Sequence, residues 1–252
     1  MMSNSSPFKW MSTGITHVGM VRQLNEDAVL DMSEIGLWVV ADGMGGHEAG
    51  EVASTMIVDR LKSLSACERI SDSVNQVEDI LLDVNDKLIK MATLDGEEKT
   101  IGSTVVGLIA HKKHCVCIWA GDSRAYRFRD GMLKQISQDH SHVEELIEQG
   151  VIDRSEAATH PAANVITRAV GAHDTLYLDV EIQEIVAGDR YLLSSDGLDK
   201  EVTEEEMARY LAEGDCSEAC NNLINLTLER GSRDNVTVIV IDFEKNETPR
   251  PR

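Results

Sequence analysis

What this chain lacks narrows its chemistry before any motif is read. Basic charge is scarce: 24 Lys and Arg stand against 44 Asp and Glu, a formal charge of -20, so a nucleic-acid backbone is not an expected partner. Zinc-type cysteine spacing is missing as well. Cys67, Cys115, Cys117, Cys216 and Cys220 form no CxxC and have no histidine cluster beside them. None is followed six residues later by arginine, which excludes the C-x5-R loop of the cysteine-dependent phosphatases. An odd number of thiols without a secretion signal implies a reducing compartment. Met1 to Thr13 has no apolar signal-peptide stretch, and apolar runs such as Val105 to Ala110 are far too short to span a bilayer. The expectation is a soluble, cytoplasmic protein. Two nucleotide loops are also absent. Gly45 to Gly50 has the glycine spacing of GxxxxGK[ST], but Glu51 stands where the lysine belongs; a dinucleotide fingerprint would need a third glycine where Glu48 sits. No repeat, low-complexity block or linker divides the 252 residues, 42% of them hydrophobic, which suffice for one large domain with a substantial core.

What is present is organised around Leu37 to Ser54, LWVVADGMGGHEAGEVAS. Five apolar residues read as a buried strand that delivers Asp42 to a glycine turn. Ala49, Val52, Ala53, Met56, Ile57 and Leu61 then fall at helical spacing, with Glu48 and Glu51 in the first turn, where the helix dipole favours them. Before this unit, Gly14 to Met20 and Ala28 to Asp31 read as strands joined by a loop carrying Arg22, Glu26 and Asp27. After it, Val74, Val77, Leu81, Val84, Leu88 and Met91 mark a second long amphipathic helix, giving an αα-hairpin. From Ile101 the period shortens to that of antiparallel strands, with Asp130-Gly131 splitting a hairpin. Ser141 to Gly150 and Arg154 to Ala158 are expected to be short helices, Leu176 to Ile185 and Arg190 to Ser195 strands. Thr203 and Glu206 form a capping box for a helix to about Leu211; a last helix, Ser217 to Glu229, precedes a strand from Val236 to Asp242. The domain is placed at 14–242, with an N-terminal extension at 1–13 and a flexible tail at 243–252.

Glu26, Asp27, Asp42, Asp122, Asp196 and Asp234 all sit at strand ends or in tight loops. Gathered on one rim they would repel unless cations neutralised them, and ligation by oxygen alone selects hard ions, Mg²⁺ or Mn²⁺. The ordered set Arg22-x-x-Asn25-Glu26-Asp27, Asp42-Gly43-Met44-Gly45-Gly46, Gly102-Ser103-Thr104, Gly121-Asp122-Ser123-Arg124, Ser195-Asp196-Gly197-Leu198 and Arg233-Asp234-Asn235-Val236-Thr237 resembles the metal-dependent serine/threonine phosphatases of the PP2C (PPM) family. The match runs from about Gly14 to Asp242. The GMGGHEAGEVAS wording, and the segment Asp139 to Gly171, are similar to the bacterial branch and, more loosely, to phosphatases paired with a membrane kinase in type VI secretion clusters.

The resemblance implies an α+β, four-layer sandwich of two antiparallel β-sheets flanked by helix pairs. It implies two Mn²⁺ or Mg²⁺ ions, with Asp42 bridging both, Asp196 and Asp234 completing one, and Glu26 with the carbonyl of Gly43 the other. Asp27 would orient the attacking metal-bridging water, Arg22 would grip the substrate phosphate, and Asp122 would belong to a weaker third metal. The expected partners are phosphoserine and phosphothreonine proteins and a cognate serine/threonine kinase. A pseudophosphatase that keeps the fold only for binding is disfavoured, because every acid expected to touch an ion is present. Two departures stand out. Met44 occupies a position where many eukaryotic relatives carry histidine, and a thioether donates no proton; His47 lies nearby, and a metal-bound water is the expected donor. Lys200 takes the place of an acid expected four residues after Asp196, where its charge would oppose the third ion; Asp199 comes one residue too early.

Overall fold

The structure, a computed structural model, describes residues 6–45, 49–94, 100–157 and 159–246. Three strands open the chain, β1 (Phe8–His17), β2 (Asp27–Met32) and β3 (Leu37–Gly45), followed by the helices α1 (Ala49–Leu61) and α2 (Ile70–Leu94). Five more strands follow: β4 (Ile101–Ser103), β5 (Val105–His111), β6 (His114–Ala120), β7 (Arg124–Arg129) and β8 (Met132–Gln135). The short helices α3 (His142–Glu148) and α4 (Arg154–Ala157) lead to β9 (Asp179–Glu184) and β10 (Arg190–Ser194). The helices α5 (Asp196–Asp199), α6 (Glu204–Leu211) and α7 (Cys216–Glu229) and the strand β11 (Val236–Lys245) complete the order.

One sheet runs β1-β11-β10-β7-β8 and the other β2-β3-β5-β6-β9, with β4 paired to β3. All pairings are antiparallel. Because successive side chains point to opposite faces of a strand, β3 serves two cores. Val39 and Ala41 turn outward with Val116 and Ile118 onto Ile57, Leu61, Leu81 and Leu88 of α1 and α2. Trp38 and Val40 turn inward to meet Leu193, Ile239, Ile241 and Phe243 of the other sheet. The few aromatics are concentrated in that middle layer, where Phe243 makes edge-on contacts with Trp38 at 6.2 Å and Tyr191 at 5.5 Å between ring centroids. Val236, Val238 and Val240 face outward onto Met207, Leu211 and Leu223 of α6 and α7. The result is the four-layer α+β sandwich that the family resemblance implies.

Local signals hold where backbone chemistry is decisive. Asp130 and Gly131 adopt φ of 51° and 77°, as a tight hairpin turn requires. The Thr203–Glu206 capping box forms, and a second one, Asp215 with Glu218, opens α7. Cys115, Cys117, Cys216 and Cys220 are buried free thiols, and burial pushes Cys115 and Cys220 up to about 12, so they behave as small hydrophobes. Among the described residues no helix is long and apolar enough to cross a membrane.

The expected edges need correction. The strand placed at Gly14 to Met20 begins at Phe8 and ends at His17, pairing with β11 from Phe8 opposite Lys245 to His17 opposite Val236. Both domain limits, 14 and 242, therefore cut through paired strand. The reason is tertiary: Phe8 and Trp10 pack against the inter-sheet core, a partner that local polarity does not advertise. Asn246 continues the contact by donating its backbone N–H to the Pro7 carbonyl at 2.8 Å; residues 247–252 lie outside the described residues. Ser195-Asp196-Gly197-Leu198, expected as a strand end, continues into the single helical turn α5.

Candidate active site

The acids converge at one end of the two sheets because register puts them there. Asp27, the first residue of β2, stands directly opposite Asp42 on β3. Asp122 follows β6, Asp196 follows β10, and Asp234 precedes β11. Burial, and after it the charges of Asp27, Asp196, Asp122 and Asp234, raise the pKa of Asp42, so that its carboxyl sits well above the ordinary carboxylate range. Burial, with Asp196 and Asp234 adding repulsion, lifts Asp27 to about 7 against hydrogen bonds that favour its ionised form. Burial likewise lifts Asp122 to about 7, helped by Asp196 and Asp139.

Each acid is held by neighbours on other elements. Asp27 Oδ2 accepts hydrogen bonds from Ser195 Oγ at 2.8 Å and Thr237 Oγ1 at 2.7 Å, while its Oδ1 is buried without a partner. The Asp42 carbonyl accepts from Thr104 N at 2.8 Å and Ser103 Oγ at 3.0 Å, which pins the strand end carrying its carboxylate. Asn235 ties the Arg22 loop down: its Oδ1 accepts from Glu26 N at 2.8 Å, and its Nδ2 donates to Val18 O and Leu24 O, each at 2.9 Å. Asp122 is turned in by Gly121, whose N–H donates to His140 Nδ1 at 3.1 Å. His140 Nε2 in turn donates to Asp179 Oδ2 at 3.1 Å.

Two cations enter the rim. Arg22, half-exposed, places Nη2 3.0 Å from Asp234 Oδ1. Lys200 Nζ stands 2.5 Å from Asp196 Oδ2 and 3.3 Å from Asp234 Oδ2. Burial opposes ionisation of Asp234, yet Lys200 and Arg22 outweigh it and hold that carboxyl below its ordinary value. Burial keeps Asp196 raised despite Lys200. Asp199 pairs with a cation of the chain, its Oδ2 meeting Arg124 Nη1 at 2.9 Å, and burial lifts it to about 8, with Asp196, Asp139 and Asp122 adding repulsion. Arg124 also clasps Asp139 at 2.7 Å.

Among the described residues no three His, Cys, Asp or Glu side chains are drawn together as a closed metal cage. The donor set still fits hard divalent ions. Asp27 Oδ1 and Asp122 Oδ1 are buried oxygens with no hydrogen-bond partner, an expensive arrangement that a cation offsets. A second feature lies beside Gly43, whose N–H donates to the Glu26 carbonyl at 3.0 Å. A β-carbon on Gly50 would stand 2.5 Å from Glu26 Oε1 and 2.8 Å from the Gly43 carbonyl oxygen. Only glycine leaves that pair of oxygens uncovered.

Arg22, Glu26, Asp27, Asp42, Gly43, Asp122, Asp196 and Asp234 are thus brought to one end of the sandwich. His47 lies outside the described residues. Ser195, Thr237, Asn235 and His140 carry roles that the sequence reading did not assign. Thr237 had a visible signal: it is a lone polar residue in the strand VTVIVI, at a position where a buried strand favours an apolar side chain.

With fold and site in view, the comparisons define the class. The protein phosphatase 2C family matches residues 16–222, and the chain belongs to that family. It is similar to the serine/threonine protein phosphatase PstP of Mycobacterium tuberculosis, 36% identical over 233 residues, covering 91% of this chain and 45% of PstP. The chain thus spans about half the length of that curated relative. Among solved structures it resembles PppA of Pseudomonas aeruginosa, described as a key regulatory component of T6SS, with TM-score 0.87 and 43% identity over 93% of this chain and 97% of PppA. It also resembles the catalytic domain of PstP in complex with two manganese ions, with TM-score 0.84 and 31% identity over 94% of this chain and all of that one.

Proposed function

We propose that this chain is a Mn²⁺- or Mg²⁺-dependent phosphatase acting on phosphoserine and phosphothreonine in proteins. One observation carries the reading: Asp27 and Asp42 face each other across β2 and β3, with Asp122, Asp196 and Asp234 close enough to raise the Asp42 pKa. Carboxylates crowded this closely stay ionised together only with cations among them. In this reading Asp42 would be shared by two ions, Asp196 and Asp234 would hold one with it, Glu26 and the Gly43 carbonyl the other, and Asp122 would contribute to a weaker third. When bound, the ions supply an activated water and neutralise charge on the phosphoryl group.

The chain's own residues do the remaining work. Arg22 presents a planar fork to the phosphate, a bidentate match that lysine lacks. Asp27 is fixed through Oδ2 by Ser195 and Thr237, which leaves Oδ1 to hold a proton of the attacking water. Met44 offers no proton to the departing serine or threonine oxygen, so that proton comes from water.

The 43% identity to PppA supports a place in the regulation of a type VI secretion system, a serine/threonine kinase is the partner that a phosphatase of phosphoserine and phosphothreonine implies, and the five free thiols suit a cytoplasmic setting. The acidic surface favours basic or weakly charged phosphosites. Purified protein is expected to hydrolyse p-nitrophenyl phosphate and a phosphothreonine peptide with Mn²⁺, to stop on EDTA and to resume when Mn²⁺ is restored. Absence of metal-dependent turnover removes the enzymatic reading. Phosphoproteomes with and without the gene test the signalling role, and an unchanged set of phosphoproteins defeats it.

A further inference from the structure

Asp196 and Asp234, assigned above to one ion, already share a cation that belongs to the chain. Lys200 follows Asp196 by one helical turn and caps α5, its backbone N–H donating to the Asp196 carbonyl at 3.1 Å. That anchor directs its Nζ to 2.5 Å from Asp196 Oδ2 and 3.3 Å from Asp234 Oδ2. The side chain is 36% exposed. It therefore does not trail in solvent: its ammonium is held by Asp196 and Asp234, and from there its charge also reaches Asp122, whose pKa it lowers.

We propose that Lys200 is a tethered counter-cation that competes with the divalent ion for Asp196 and Asp234 and is displaced when the ion binds. The proposal rests on the metal-dependent reading above. An ion held by these two acids draws on the same two carboxylates that the ammonium engages through one oxygen each, and an ammonium only donates hydrogen bonds and cannot itself act as a ligand. The exchange is feasible because the lysine stem is flexible. A cavity of about 430 Å³ lined by Asp122, Arg154, Asn164, Asp199 and Lys200 gives the released ammonium room beside other carboxylates. Lys200 thereby shields the acids when metal is scarce and raises the metal concentration the site demands.

Lys200→Met keeps the apolar stem and removes the charge. In calorimetric titration of Mn²⁺ into metal-free protein, the variant is expected to bind at least ~10-fold more tightly, which corresponds to about 1.4 kcal/mol. Its melting temperature in EDTA should hold or fall slightly, because two partly exposed acids lose their cation. Lys200→Arg keeps the charge and should stay within about threefold of wild type. Should Lys200→Met melt too low to titrate, Lys200→Gln is read the same way. A folded, charge-free variant whose Mn²⁺ affinity lies within about twofold of wild type overturns the proposal. Asp234→Asn separates the two levels: if it leaves Mn²⁺ affinity untouched, the metal assignment fails. If it weakens binding while Lys200→Met changes nothing, only the role of Lys200 fails.

Discussion

Asp42→Asn and Asp234→Asn each remove one carboxylate from the same cluster, yet they are expected to move the metal-free protein in opposite directions. Asp42 is raised by burial and by four acids, with no cation among the causes, so neutralising it relieves repulsion. A gain of roughly 0.5–2 kcal/mol is the scale for removing one such local conflict, and at about 2–4 °C per kcal/mol for a domain of this size the melting temperature in EDTA should rise by several degrees. Asp234 instead carries two cations, Arg22 at 3.0 Å and Lys200 at 3.3 Å. Losing those partly exposed pairs costs ~0–1 kcal/mol, so its metal-free melting temperature should hold or fall slightly. Mn²⁺ reverses the ranking. At a hundredfold excess over Kd an ion adds about 2.7 kcal/mol to wild type, roughly 5–10 °C, and both variants should lose most of that gain together with turnover. Thermal scans in EDTA and in Mn²⁺ read all these quantities. A lower EDTA melting temperature for Asp42→Asn, or a full Mn²⁺ shift in either variant, would refute the electrostatic account.

Arg22→Ala should raise KM for a phosphopeptide more than it lowers kcat, and an unchanged KM counts against a phosphate contact. The pH dependence follows from Asp27 and Asp122, which the folded metal-free chain protonates up to about 7 and the unfolded chain only to 3.8. The folded state binds more protons in that window, so metal-free stability should fall as pH rises between about 4 and 7; because metal binding expels those protons, the Mn²⁺-induced rise in melting temperature should grow over the same range. A Mn²⁺ shift independent of pH contradicts this. Arg190 offers a control far from the site: its guanidinium binds Asp242 at 2.5 Å and 2.8 Å and the carbonyls of Leu211, Glu213 and Gly214. Arg190→Met leaves them unpaired and should cost about 3–5 kcal/mol, while the remaining folded protein keeps its full Mn²⁺ shift.

Much of the site was legible because its chemistry is written in short local patterns. A strand that ends in Asp-Gly must place the acid at a sheet rim, and this pattern recurs at Asp42 and Asp196, while Asp122 and Asp234 lie in equally tight turns. The repeated switch from apolar run to acid and glycine therefore marked where acids gather at the rim, and its order along the chain marked the family. The αα-hairpin and the Asp130-Gly131 turn were legible for the same reason, since period and φ preference act within a few residues.

Tertiary structure decided everything that depends on which distant segments meet. Antiparallel register, not sequence spacing, sets Asp27 opposite Asp42. Thr237 reaches Asp27 across 210 positions of sequence, and β1 extends to Phe8 only because β11 lies alongside it. Lys200 shows the limit most plainly. Its position in the chain suggested a charge opposing a third ion at Asp122, but the turn of α5 and the loop before β11 bring its ammonium between Asp196 and Asp234. Charge is carried by the sequence; the distance over which that charge acts is set only when the strands pair, and Coulomb energy depends on both.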